Sequence, residues 1–179
     1  VYSNWFRNKI EGMWSNDQTE LHYINIGKSR LAGVETMCKI QINRHINVHG
    51  AYNYLYTSKD ADGVRLSSSS PHSGNIRAEY NTRIPRYATV VNLSGNIMGK
   101  KKFDVLDELE IDGKKVEAYY QAKVNPYCLW DLTVSQYIMQ NLRITAGITN
   151  LFDYTSDRVT FNTSTSPGRN YFIACNYTL

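Results

Sequence analysis

Residues 127–151 read "YCLWDLTVSQYIMQNLRITAGITNL", an apolar-polar alternation that runs twice and breaks once, at Gln140 and Asn141. Cys128, Trp130, Leu132, Val134 and Ile138 share one parity, and Leu142, Ile144, Ala146 and Ile148 resume it after the break. A period of two marks a strand with one apolar face. Two such runs joined by two residues form a hairpin.

The same period extends outward to both ends of the 179 residues. Alternating segments fall at 2–14, 23–42, 47–57, 75–84, 87–99, 127–138, 141–151 and 170–179, and no helical period competes with them. The last segment carries Tyr171, Ile173, Cys175, Tyr177 and Leu179 on one face. No polar tail follows Leu179, and the first residues, "VYSNWFRNKIEGMW", stand inside an alternation with no leader before them. The opening therefore reads as a cut within a longer protein.

Composition narrows the class. The chain is 42% hydrophobic and 12% aromatic, with 14 Tyr against 5 Phe, rings suited to a boundary between oil and water. Helical membrane spans are excluded because no apolar run approaches about 18 residues. A net charge of +4 is not gathered into a basic stripe, since Lys100, Lys101 and Lys102 precede the acidic "DVLDELEID", and nucleic acid is not an expected partner. Cys38, Cys128 and Cys175 lack metal spacing and sit at apolar parity, as small hydrophobes do.

The connections sort by length. Those after the second, fourth and sixth segments are short ("RHIN", "IPR", "QN"), while those after the first, third, fifth and seventh are long. An up-and-down transmembrane barrel has this asymmetry, short turns on the inner side and long loops outside. Within the fifth connection, Asp112-Gly113 between two alternating runs predicts a hairpin standing on the outer rim.

Charge parity tests the barrel independently. Apolar residues assign an outward face to Phe6, Ile10 and Trp14, to Val34, Cys38 and Ile40, to Tyr52, Tyr54 and Tyr56, and to their counterparts in later segments. Arg7, Lys9, Glu11, Glu35, Lys39, Arg77, Glu79, Asp131 and Arg143 then fall inside, with Asn, Ser, Thr, Gly and Ala as their neighbours. A wide, wet or plugged lumen accommodates such a face. Lys28 and Arg30 share the outward parity but lie near the upper end of a segment longer than the roughly 9–11 residues that span a bilayer, so they are expected above it.

Four stretches then carry a resemblance: "INIGKSRLAGVE", "SSSPHSGNIRAEY", "YCLWDLTVSQYIMQNLRITAGITNLFD" and "SPGRNYFIACNYTL". In this order they resemble the C-terminal portion of a TonB-dependent outer-membrane receptor, departing only in Leu179 where the family usually ends in Phe. The resemblance implies an all-β, antiparallel barrel of about 22 strands around a plug. Residues 1–179 would supply about the last eight strands, with the plug domain and earlier strands absent from this chain. It further implies localisation in the bacterial outer membrane, a TonB-type energy coupler acting through the missing plug, and import of a scarce bulky nutrient (siderophore-iron, haem, cobalamin or a glycan). Tyr171, Ile173, Cys175, Tyr177 and Leu179 would form the signal read by the barrel-assembly machinery. His72, Lys101, Tyr154, Arg158 and Arg169 are the candidate ligand contacts of the outer loops, and Glu35, Arg77, Glu79, Asp131 and Arg143 are the lumen charges.

Other readings are weaker. His45 and His49 could share a metal but lack a third ligand nearby, so no metal or other cofactor is expected. No GxSxG, HExxH or phosphate loop occurs, and the inward carboxylates are matched by cations, so no enzyme is expected. The main alternative is a complete eight-stranded barrel serving as adhesin or anchor, followed by a soluble β-sandwich.

Overall fold

The computed structural model describes residues 1–14, 20–58, 70–111, 114–139, 141–156 and 167–178. Ten antiparallel strands succeed one another: β1 (Tyr2–Trp14), β2 (Leu21–Gln41), β3 (Ile46–Thr57), β4 (His72–Asn81), β5 (Thr89–Met98), β6 (Lys101–Ile111), β7 (Lys114–Val124), β8 (Tyr127–Ile138), β9 (Leu142–Thr149) and β10 (Asn170–Tyr177). Eight of them form one sheet in the order β1-β2-β3-β4-β5-β8-β9-β10, and β6-β7 is a separate ribbon inserted between β5 and β8. The ribbon is the expected hairpin, with Ile111 opposite Lys114.

The connections after β2, β4 and β8 lie at one end of the sheet and those after β1, β3, β5 and β9 at the other. The expected sorting by length is not strict: residues 15–20 join β1 to β2, fewer than the 82–88 that join β4 to β5. The largest shift from the alternation reading is in β4, which spans His72–Asn81 rather than 75–84, and β5 begins at Thr89 rather than 87. Hydrogen bonding of the intervening turn is the reason. Arg83 and Arg86 have φ of 54° and 68°, Arg83 N–H donates to Asn81 Oδ1 at 2.8 Å, and Thr82 N–H donates to the Thr89 carbonyl at 3.0 Å. A side-chain-capped turn takes residues that a pure period-two pattern assigns to strands.

The sheet has two unlike faces, and among the described residues no apolar core lies between layers. Among the described residues the only buried large hydrophobic is Val124. Directly opposed residues share a face, so the register fixes one continuous row: Ile40, Val48, Ala78, Leu93, Leu132, Ile148 and Tyr171. Its first member is one residue from the short-turn end of β2, its last one residue from the long-loop end of β10. A barrel wall built of tilted strands has this stagger.

On that face of β4, β5, β8 and β9 aliphatics occupy the middle. Tyr80 and Tyr177 stand toward the short turns, and Tyr52, Tyr54, Tyr56 and Tyr171 toward the long loops; all six are more than a third exposed. The opposite face is polar, with Lys39, His49, Arg77, Ser94 and Asp131 in one row. β1 and β10 are the sheet's edges.

Three glycines lie directly opposite aromatic rings: Gly33 and Tyr2, Gly95 and Trp130, Gly147 and Phe172. Each ring covers its glycine, and a Cβ at Gly95 would approach Trp130 to 2.8 Å. The ring fills the side-chain space that glycine vacates and pins the register.

β1 corrects one expectation. Phe6 lies opposite Ser29 and Tyr2 opposite Gly33, on the parity of Glu35, whereas Arg7 lies opposite Lys28 on the parity of Val34. Phe6 is thus on the polar face and Arg7 on the apolar one. The cause is position along the sheet: β1 pairs only with Leu21–Gly33, the long-loop part of β2. Alternation reports a buried or lipid-covered face only where something apolar covers it, so it loses that meaning toward a sheet's end.

Candidate functional site

The long-loop end gathers the ordered side chains with the most specific contacts, and Asn150 holds it together. Asn150 is 5% exposed with φ of 52°, a conformation that asparagine tolerates better than most residues. Its amide donates to the Tyr154 carbonyl at 2.7 Å while its Oδ1 accepts from Tyr154 N–H at 2.8 Å. Its backbone N–H donates to Asp131 Oδ1 at 2.9 Å. Asp153, three residues on, has φ of 57° and accepts from Arg169 N–H at 2.6 Å. The "NLFD" stretch therefore fastens both limbs of the loop between β9 and β10.

This framework places Tyr154 over Tyr127, rings stacked at 4.9 Å with planes 9° apart. Tyr127 shares the parity of Asp131, so the stack stands at the polar side of the long-loop end. Stacked in this way, the two rings cover each other's inner faces and form one aromatic shelf. Sequence reasoning chose Tyr154 but missed Tyr127, Asn150 and Asp153. The stretch 127–153 quoted for the resemblance contains all three.

The other candidates divide. Arg169 is brought beside the shelf's loop by its backbone bond to Asp153, and its guanidinium hydrogen-bonds Tyr171, which raises its pKa further and keeps it cationic. Lys101 opens β6, and burial lowers its pKa. Arg158 lies outside the described residues. His72 is directly opposite Tyr54, and its Nδ1 is 2.7 Å from the Tyr52 hydroxyl. It therefore belongs to the apolar face with the tyrosines, on the other side of the wall from the shelf.

All five charges assigned to the lumen lie on the polar face: Glu35, Arg77, Glu79, Asp131 and Arg143. Their partners are largely local. Arg77 Nη2 donates to Asn92 Oδ1 at 2.9 Å and stands 3.5 Å from Glu79, Arg143 lies 6.0 Å from the Tyr137 ring centroid, and Asp131 anchors Asn150. His45 uses Nδ1 on the Asn81 carbonyl and Nε2 on Arg44, while His49 stands in register between Lys39 and Arg77. That cationic setting disfavours a bound metal cation.

The edge strand β10 carries Tyr171, Ile173, Cys175 and Tyr177 on its apolar face, and Leu179 lies outside the described residues. Cys38, Cys128 and Cys175 are free thiols, on β2, β8 and β10.

Comparison with known proteins agrees with this architecture. The family described as "TonB dependent receptor-like, beta-barrel" matches residues 1–151. A variant of the ferric enterobactin receptor of Pseudomonas aeruginosa is similar over 98% of this chain and 27% of its own length, at 18% identity and TM-score 0.65. The ferripyoverdine receptor of the outer membrane of Pseudomonas aeruginosa, bound to ferripyoverdine, is similar over 98% and 24%, at 17% identity and TM-score 0.69. The structure of the FpvAI–pyocin S2 complex gives 98% and 23%, at 17% identity and TM-score 0.68. The chain spans about a quarter of the length of these structures.

Proposed function

Because the chain belongs to the TonB-dependent receptor-like β-barrel family, we propose that it is wall of an outer-membrane importer, about the last eight strands of a barrel of roughly 22. One observation carries the reading: an apolar face ringed by tyrosines at both ends, with no layer of the described residues over it, backs onto a polar face. Lipid covers the first and a plugged, hydrated lumen the second. A soluble sandwich would bury its apolar face against a second sheet.

The open order of the sheet favours a larger barrel over a complete eight-stranded one, since a small barrel would pair β1 with β10. In that larger barrel the apolar residues of β10 carry the assembly signal, and β10 pairs with the first strand of the whole protein. The cargo is a scarce bulky nutrient, with an iron-siderophore first because two similar structures are receptors for such complexes. A plug outside this chain engages the TonB-type coupler. The chain performs no covalent chemistry.

Cell fractionation and uptake of a labelled ferric siderophore by the receptor containing this chain test the proposal. Residence in the outer membrane and uptake abolished by loss of the coupler are expected. A receptor found in the soluble fraction would contradict it.

A further inference from the structure

The short-turn end of the sheet carries one sign of charge on one residue type. Residues 40–47, 80–90 and 137–143 form the turns after β2, β4 and β8 with the strand feet beside them, and they contain Arg44, Arg83, Arg86 and Arg143 but no Lys, Asp or Glu. The nearest carboxylate along these strands, Glu79, stands two residues up β4 from Asn81 and lies 3.5 Å from Arg77. The long-loop end, by contrast, mixes both signs, with Glu20, Lys28, Arg30, Asp153 and Arg169.

Hydrogen bonds fuse the three turns into one rim. Asn81 N–H donates to the His45 carbonyl at 2.8 Å, and His45 Nδ1 lies 2.7 Å from the Asn81 carbonyl. Across the next strand pair, Met139 N–H donates to the Arg86 carbonyl at 2.5 Å and Tyr137 N–H to the Ala88 carbonyl at 2.8 Å. Arg83 and Arg86 hold φ of 54° and 68°, a region that arginine rarely enters. Such conformations persist where surrounding contacts impose them, and they gather at binding sites. Arg44 uses Nε on His45 Nε2 at 2.8 Å, which leaves its two terminal nitrogens. Among the described residues no carboxylate partners Arg44, Arg83 or Arg86.

Arginine in place of lysine throughout points to carboxylate or phosphate recognition, because the planar fork pairs with two oxygens at once. Placement narrows the partner. Each turn is two strands from the next in the sheet order, so neighbouring turns are about 10 Å apart. A line of cations at that spacing suits an extended chain of repeated anions better than one small ion. Arg143 lies opposite Tyr137 on the polar face, where the lipid covering the apolar face does not reach. We propose that this arginine rim docks the cell wall of the periplasm, its guanidiniums pairing with the free carboxylates of peptidoglycan stem peptides. The inference rests on the membrane-wall reading above, which turns the connections after β2, β4 and β8 toward the periplasm. A rim already held by its own hydrogen bonds loses little freedom on docking.

The test uses the receptor containing this chain, purified in detergent and co-sedimented with purified peptidoglycan sacculi. The parent protein should pellet with native sacculi and stay in solution with sacculi whose stem-peptide carboxylates have been amidated. An R44E/R83E/R86E variant should bind native sacculi ~10-fold more weakly, as the loss of three exposed guanidinium–carboxylate pairs implies. Lys39→Glu, the same charge change in mid-wall on the polar face, should pellet as the parent does. Heat-modifiable migration of all three proteins reports separately that a membrane barrel has formed.

Equal pelleting of folded parent and R44E/R83E/R86E proteins would overturn the cell-wall dock while leaving the membrane-wall reading intact. Full release of the parent by phosphatidylglycerol in mixed micelles would overturn it too, by showing that the arginines belong to the leaflet. A parent protein that forms no membrane barrel would overturn both.

Discussion

The two faces of the eight-stranded sheet differ in composition rather than in accessibility. Ile173 is 78% exposed on the apolar side and Met37 84% on the polar side, so burial within the chain cannot have sorted the residues. In a protein surrounded by water, apolar residues would gather on the covered face. Here no covered face exists among the described residues, yet the charged residues of β3, β4, β5, β8 and β9 all stand on one face, with Leu55, Val90, Met98 and Leu129 the large apolar residues among them. The medium outside the sheet, not a core within it, explains the pattern.

Breaking this comparison takes one charge. Ile144→Arg or Leu132→Arg should destabilise the folded receptor by about 2–4 kcal/mol where the site lies near mid-membrane. Thr145→Arg and Thr133→Arg, one residue along, should stay within about 1 kcal/mol because the new side chain meets water. Reversible unfolding in detergent or liposomes measures the difference. Equal damage from both sets would mean that both faces are packed in protein.

The ring-covered glycines sharpen the comparison, since Gly95 lies on the apolar face and Gly33 and Gly147 on the polar one. Gly95→Val on the apolar side and Gly147→Val on the polar side should each displace a ring, costing about 1–3 kcal/mol as overpacking does. Unfolding midpoints check this. A neutral result at both positions would mean that the rings do not pack on the sheet.

At the long-loop end the expected effect is local. Asn150→Ala removes both hydrogen bonds to Tyr154 and should lower loop stability by about 1–3 kcal/mol. Faster proteolysis between residues 150 and 169, with the barrel itself intact, is the readout. The smallest change belongs to the polar face: Arg77→Ala removes an exposed pair with Glu79 and a bond to Asn92, and should cost no more than about 1 kcal/mol.

Alternation made most of the wall legible. Residues 127–138 and 141–151 match β8 and β9 within two residues at their ends, since lipid or a partner layer demands one unbroken face there. The ends of β4 and β5 were not legible, because Asn81 and two residues at positive φ set that turn locally. Parity failed in β1, where neither lipid nor core enforces it.

At the site, the side of the wall on which His72 stands was readable from its even spacing to Ile76, Ala78 and Tyr80. Choosing it as a ligand contact weighed its chemistry above its parity. The Tyr127–Tyr154 stack was not readable at all. It joins two connections 27 residues apart through Asn150, and a one-dimensional pattern does not encode a loop's return path.

The most direct measurement of the central claim follows the accessibility of a nitroxide label carried along β9, after Cys38, Cys128 and Cys175 are replaced by serine. In liposomes, labels at Leu142, Ile144, Ala146 and Ile148 should relax with dissolved oxygen, which concentrates in the bilayer. Labels at Arg143, Thr145 and Thr149 should relax with a water-soluble nickel complex, giving a period of two across the strand. Uniform access to the nickel complex at all seven positions would contradict a lipid-covered face.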